Sequence, residues 1–247
     1  MSYHKAEFLI ATVARLLDDP MVRHVAVGAA SPIPGAAALL TQAMTNGRLR
    51  VSIIHGDANN PFTDGGRELF DAAGQGRIDA FFLGGVQIDG RANINLVGTG
   101  TYPQSERRFA GSFGSAHMYF VIPKVILFRP EHTRRVFVEA VDFISAPGIS
   151  TPDVYRPGGP KALVTELCLM TFHPKIARFR LETIHPGHTL EEILDNTGFE
   201  FDIPDDIPTS AEPTQTELTL LRTRISREIA KTYPVFAGQV FGADTAA

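Results

Sequence analysis

Apolar residues recur at helical spacing over Lys5–Leu17, where Phe8, Leu9, Val13, Leu16 and Leu17 form one stripe before Asp18-Asp19-Pro20. This predicts an amphipathic first helix. His24–Gly28 reads as a short apolar strand. It runs through Ala30-Ser31-Pro32-Ile33-Pro34-Gly35 into an alanine-rich helix over Ala36–Met44, with Pro34 suited to a first turn. Val51–Ile54 is the next predicted strand, leaving through His55-Gly56-Asp57-Ala58-Asn59-Asn60, and Asp64–Gly74 the next helix, with Leu69, Phe70 and Ala73 on one side. Ala80-Phe81-Phe82-Leu83 is apolar without alternation, as in a strand buried on both faces, and stops at Gly84-Gly85. The stretch from Val25 to Leu83 therefore follows βαβ logic.

Beyond Leu83 the pattern is looser. Val121–Phe128 is predicted as a buried strand with Pro123 at an irregular entrance. Glu131–Val138 is predicted as a short helix. Ala162–Thr165 and Ala177–Leu181 are predicted as antiparallel strands flanking a turn near His173-Pro174. Thr189-Leu190-Glu191-Glu192 has the composition of a helix N-terminus running to Leu194. Asp202–Thr214 (201–215 at its widest) is proline-rich and predicts a linker. A terminal helix over Thr216–Lys231 carries Leu218, Leu221, Ile225 and Ile229 as a stripe for the body of the chain or for a partner. No internal repeat or second core is visible, so the expectation is a single α/β domain over residues 1–247, an open, mostly parallel sheet flanked by helices.

Two glycine clusters punctuate the middle of the chain: Gly84-Gly85, and Gly111-Ser112-Phe113-Gly114-Ser115-Ala116. Read as strand exits, they suggest a ligand site at the carboxyl edge of a parallel sheet, near the His55–Asn60 loop. Neither is a dinucleotide fingerprint or a P-loop, and spacing alone equally fits a pair of tight turns.

Composition narrows the function classes. Of 247 residues, 44% are hydrophobic and 20% charged, which suits a globular chain with a sizeable core. A net charge of −4 offers no basic stripe, so nucleic acid is not an expected partner. The one cysteine, Cys168, lies in an apolar run and reads as a buried thiol in a reducing compartment. No signal-peptide core or membrane-length apolar run is visible, so the expectation is a cytoplasmic protein with no membrane association.

Leu83-Gly84-Gly85-Val86-Gln87-Ile88-Asp89 followed by Gly90-Arg91-Ala92-Asn93-Ile94-Asn95 resembles the "LGGxQID…GNxN" segment of family I CoA-transferase β subunits, those of the glutaconate type above all. Gly111–Ala116 resembles that family's "GSGGA" loop. Arg134–Glu139, Val141–Gly148, His185–Thr189 and Asp195–Glu200 continue the likeness in order. The resemblance implies the CoA-transferase family I fold and a coenzyme A thioester as substrate, with no metal. It also implies an α-type partner subunit in a heterodimer or heterotetramer. It marks Gly84, Gly85, Gln87, Gly111, Ser112, Gly114 and Ser115 as candidates to meet the CoA thioester.

In those transferases a glutamate at a strand exit attacks the acyl-CoA carbonyl. The matching exit here is Ile54-His55-Gly56-Asp57-Ala58, where His55 or Gly56 takes the glutamate's place and no glutamate is present. Asp57 is the nearest carboxylate, shorter by a methylene and displaced by a residue. Asp57 and His55 are therefore the candidate catalytic residues. The departure resembles the β subunit of cholesterol ring-cleaving CoA hydrolases, whose loop reads "DGEA" and for which the resemblance implies an essential glutamate on the α subunit. Three functions follow as expectations: a transferase subunit, a subunit of a ring-opening hydrolase, or a non-catalytic acyl-CoA-binding scaffold. Against the catalytic reading, His55 could make a structural hydrogen bond, Asp57 could cap the next segment, and Asn59 and Asn60 suit a turn. The two histidines of His185-Pro186-Gly187-His188 fit a turn better than a metal face, with no third ligand at recognisable spacing. The pairs Arg107-Arg108 and Arg134-Arg135 could meet CoA phosphates or form a solvated face.

Overall fold

The computed structural model describes residues 2–56 and 59–242. The elements in chain order are α1 (Lys5–Leu17), β1 (His24–Val27), α2 (Pro32–Met44), β2 (Arg50–Ile53), α3 (Gly65–Gly74), β3 (Ala80–Leu83), β4 (Gln87–Ile88), β5 (Ile94–Asn95), β6 (Gly98–Thr99) and β7 (Arg107–Arg108). They continue with α4 (Ser115–Val121), β8 (Lys124–Phe128), β9 (Pro160–Val164), β10 (Cys168–His173), β11 (Arg178–Ile184) and α5 (Leu190–Asn196). The C-terminal part holds α6 (Gln215–Leu220), a π-helical turn (Leu221–Ile225), α7 (Ser226–Ala230) and α8 (Pro234–Phe241). Backbone hydrogen bonds order the seven main strands β11-β10-β9-β8-β3-β1-β2 in a mostly parallel sheet. This is the predicted α/β class.

Chain packing defines two compact units, the first made of Met1–Leu69, Arg77–Phe82 and Ala211–Ala247, the second of Phe70–Gly76 and Leu83–Ser210. In the first, β1 lies between β2 and β3 and is parallel to both, with Val27 beside Ile53 and Ala26 beside Phe81. Loops leaving β1 and β2 therefore emerge at one edge. Helix α2 is apolar on nearly every side, as a helix surrounded by other elements must be. Ala36, Ala37, Ala38, Leu39 and Leu40 are all buried, and Gly35 lets Ile229 of α7 approach closely, since an added Cβ would lie 3.1 Å from Ile229 Cδ1.

The stripe of Leu218, Leu221, Ile225 and Ile229 is buried within this unit. It is therefore not a free face awaiting a partner. Truncating one such side chain costs about 2–5 kcal/mol. Helix α1 starts with a reciprocal cap: His4 Nδ1 accepts from Ala6 N at 3.1 Å, and Glu7 Oε2 accepts from His4 N at 2.8 Å.

In the second unit β8 and β9 are parallel, while β10 is antiparallel to both β9 and β11. Four local expectations are corrected here. Residues Glu131–Val138 form turns, not a helix: Val136 N and Phe137 N both bond Thr133 O, and Ile88 bridges Phe137. Val121 ends helix α4, so the strand begins only at Lys124. Cys168–His173 is a strand in its own right, and the turn at His173-Pro174 joins it to β11. Gly111–Ala116 leaves the small β6–β7 ladder and enters α4, so it is not an exit from the main sheet. Cys168 is fully buried, and burial raises its thiol to about 12, leaving it protonated and inert.

Candidate functional site

The edge formed by the β1 and β2 exits holds the candidate catalytic loop. Ile54 N still bonds Val27 O at 3.0 Å, and the chain then turns at His55, whose φ of 72° lies in the left-handed region. A side chain in that region costs of order 1–3 kcal/mol and needs support from its surroundings. The support is visible: Asn59 N and Asn60 N both bond Gly56 O, at 3.0 and 2.8 Å, and Ile53 N bonds Asn59 O at 3.1 Å. Asn60 Oδ1 accepts from Phe62 N at 3.1 Å, so its amide helps shape the turn. The fold thus tightens around a buried Gly56 and presents an exposed imidazole at the end of a parallel strand. Asp57, the other candidate catalytic residue, lies outside the described residues.

The neighbouring β1 exit is held from the C-terminal segment. The Tyr233 hydroxyl lies 3.3 Å from Gly28 O, 3.1 Å from Ala29 O and 3.4 Å from Ser31 N. It donates its proton to the carbonyls and accepts from the Ser31 amide. Burial raises the phenol's pKa, a rise the Ser31 hydrogen bond only partly offsets, so Tyr233 stays a neutral donor. Next to it, Thr232 Oγ1 sits 2.8 Å from where a Cβ on Gly56 would fall. Reasoning from the sequence missed this role: Thr232 and Tyr233 follow a helix, and nothing local marks them as neighbours of residues 28–56.

The second unit holds the remaining candidates. Gly84 and Gly85 are explained by close packing: an added Cβ would lie 3.0 Å from Phe128 O at Gly84 and 2.6 Å from Gln87 O at Gly85. Gln87 is buried, and its amide is engaged at both ends. Its Oε1 accepts from Asn95 Nδ2 (2.7 Å) and Asp142 N (3.0 Å), and its Nε2 donates to Asp142 Oδ2 (3.1 Å). Asp89 accepts from Arg91 N, Asn93 N and Asn93 Nδ2, each at 3.0 Å, and so fixes the loop after β4.

Gly111 has φ 98° with open space around it, and Ser115 N bonds Ser112 O at 2.8 Å. Gly114 packs on Phe70, whose ring occupies the space an added Cβ would need. Phe113, with φ 46°, is 84% exposed, and its ring centroid is 5.1 Å from that of Phe70. Gly114 and Phe70 line a cleft of about 460 Å³ with Asp71, Gly74, Gln75 and His117. The Ser115 hydroxyl is buried and has no hydrogen-bond partner among the described residues. A larger cleft of about 750 Å³ is lined by Arg91, Arg134, Glu139, Arg178, Phe199 and others.

The two histidines of the 185–188 segment sit in a turn. His188 N bonds His185 O at 3.2 Å, closing a turn with Gly187 at φ 87°. His185 meets Ser210 Oγ (2.8 Å) and Thr165 O (3.1 Å), and His188 Nδ1 pairs with Glu192 at 2.8 Å. Among the described residues no group of three or more His, Cys, Asp or Glu is placed to hold a metal ion. Nor is any helix among them long and apolar enough to cross a membrane.

The family model for coenzyme A transferase matches residues 5–196, and the chain belongs to that family. It is 32% identical over 161 residues to the B-type subunit of the 3-oxoadipate CoA-transferase of Pseudomonas knackmussii, a match covering 63% of this chain and 62% of that protein. It is also 32% identical over 160 residues to the IpdB subunit of the cholesterol ring-cleaving hydrolase of Rhodococcus jostii, again covering 63% and 62%. The matched stretch thus spans about three-fifths of the length of these relatives. Among solved structures, the fold is similar to a chain of IpdAB from Rhodococcus jostii RHA1, with TM-score 0.78 and 26% identity over 92% of this chain and 99% of that one.

Proposed function

We propose that the chain is the β-type subunit of a heteromeric enzyme that acts on an acyl-CoA thioester together with an α-type subunit, and that it supplies no glutamate nucleophile. The observation carrying this reading is the β2 exit: in a member of the coenzyme A transferase family, residues 54–60 contain no glutamate, while the backbone turns through a left-handed His55. An imidazole there can take a proton from water or return one to a leaving carbanion, which a glutamate nucleophile need not do. Asp57 would orient that water or hold the loop. Gly111, Ser112, Gly114 and Ser115 are the residues proposed to face the thioester in the second unit. Ser115 favours this with a hydroxyl that no described neighbour uses.

A second reading within the same frame is hydrolysis in place of CoA transfer, with water adding to a carbonyl of a CoA-linked ring and a carbon–carbon bond breaking. The similarity to the IpdB subunit supports it. The test is co-purification with an α-type chain, followed by assay of acyl-CoA consumption with and without an acceptor acid. His55→Ala is expected to lower turnover on the order of 10²-fold if the imidazole moves a proton. Unchanged turnover in that variant would contradict the assignment.

A further inference from the structure

The two exit loops at the β1–β2 edge share one brace. Tyr233 ties three backbone groups of residues 28–31 through a single hydroxyl, and the adjacent Thr232 leaves no room for a side chain at Gly56. Gly56 has no need of a positive φ, so steric contact alone excludes a Cβ there, with Thr232 Oγ1 at 2.8 Å and Ile53 O at 3.3 Å. The same turn is anchored by Thr232 N and Tyr233 N, which bond Ile229 O at 3.1 and 2.8 Å, and Ile229 is fully buried against α2. A rigid turn at the end of α7 thus reaches both loops at once. Packing transmits sub-ångström shifts because protein interiors have little free volume.

We infer that Tyr233 and Thr232 are positioning residues for the reaction at this edge, Tyr233 by fixing the β1 exit and Thr232 by setting where His55 stands through its contact with Gly56. The inference rests on the reading that the β2 exit carries chemistry, and it predicts a specific coupling that packing for stability alone would not give. A displacement of about 1 Å at a reacting group can cost on the order of 10²-fold.

The experiment compares Gly56→Ala, Thr232→Ala, the double variant and Tyr233→Phe in the heteromer, with short-chain acyl-CoA thioesters as probe. Hydrogen exchange of the segment spanning residues 53–61 is read in parallel. Gly56→Ala is expected to lower kcat roughly 10-fold or more and to loosen that segment, and adding Thr232→Ala to restore both to within about 3-fold of Thr232→Ala alone. Tyr233→Phe, which keeps the ring, is expected to lower kcat roughly 10-fold with KM little changed. Equal losses in Gly56→Ala and the double variant, or an unchanged kcat in Tyr233→Phe, would overturn the inference. Should the unmodified heteromer consume no acyl-CoA, the functional reading fails by itself. The exchange arm still decides the coupling: restored protection in the double variant supports it, and its absence ends it.

Discussion

Arg222 closes on Glu7 with two hydrogen bonds, Nε to Oε1 at 2.6 Å and a terminal nitrogen to Oε2 at 2.8 Å, across 215 positions of sequence. The reverse pair lies alongside, Arg15 on Glu217 at 3.1 and 2.7 Å. Both carboxylates are almost wholly buried, and each is also bound to the start of its own helix. Two crossed ion pairs therefore join the first helix to the C-terminal one.

This arrangement makes acid stability testable. Burial pushes the Glu7 carboxyl up, but the Arg222 hydrogen bond and charge, with the His4 backbone bond, outweigh it and hold the group below its ordinary 4.5; Glu217 behaves alike through Arg15 and Thr214. A folded pKa below the unfolded one contributes stability above the unfolded value and loses it as pH falls through the folded one. Stability is expected to decline below about pH 4.5. Glu7→Gln is expected to cost about 1–3 kcal/mol at neutral pH, read by chemical denaturation. An unchanged midpoint would show that the pair is energetically idle.

His132 predicts a second, higher window. Its ring is buried with Nδ1 2.8 Å from Thr165 Oγ1 and Nε2 2.9 Å from Thr197 Oγ1. Thr197 spends its own proton on Ile193 O at 2.7 Å, so it accepts from His132, which places the imidazole proton on Nε2. Burial is the main cause that lowers this histidine from 6.5 to about 4. The folded state then binds the proton less readily than the unfolded one, and stability falls as pH drops from about 6.5 toward 4. The whole window is worth up to about 3 kcal/mol. His132→Gln is expected to flatten the pH dependence there while lowering stability at neutral pH. A pH profile identical to the unsubstituted protein would contradict the assignment.

Gly114 is predicted to resist substitution for a packing reason. Gly114→Ala would drive its methyl into the Phe70 ring, and overpacking of this kind costs about 1–3 kcal/mol. Pairing it with Phe70→Leu is expected to recover part of the loss in thermal midpoint. If the double variant recovers nothing, another contact fixes the glycine.

The elements with strong local signals were legible in the sequence: α1 falls on Lys5–Leu17 as read, and β3 on Ala80–Leu83. Strand β10 was not, because Leu169 on its less buried face makes Leu167-Cys168-Leu169-Met170 read as one unbroken apolar run, although its burial alternates. Glu131–Val138 stops at a single turn closed on Thr133, because Val138 N and Val136 O pair with Ile88 instead, a distant partner no local spacing reveals. At the site, the absence of glutamate was plain from the residues alone. The left-handed turn at His55 was not, and neither were Thr232 beside Gly56 and Tyr233 on the β1 exit, whose contacts join residues roughly 175 to 205 positions apart that no local pattern links.

Whether this chain forms a covalent acyl intermediate bears most directly on its proposed role. In the proposed heteromer, incubation with acyl-CoA followed by borohydride would reduce an enzyme-bound thioester on a carboxylate nucleophile and change the mass of the chain bearing it. The prediction is an unmodified mass for this chain, because residues 54–60 offer no glutamate and Asp57 is a methylene too short for the task. An adduct mapped to Asp57 would contradict it and show that an aspartate has taken over as nucleophile.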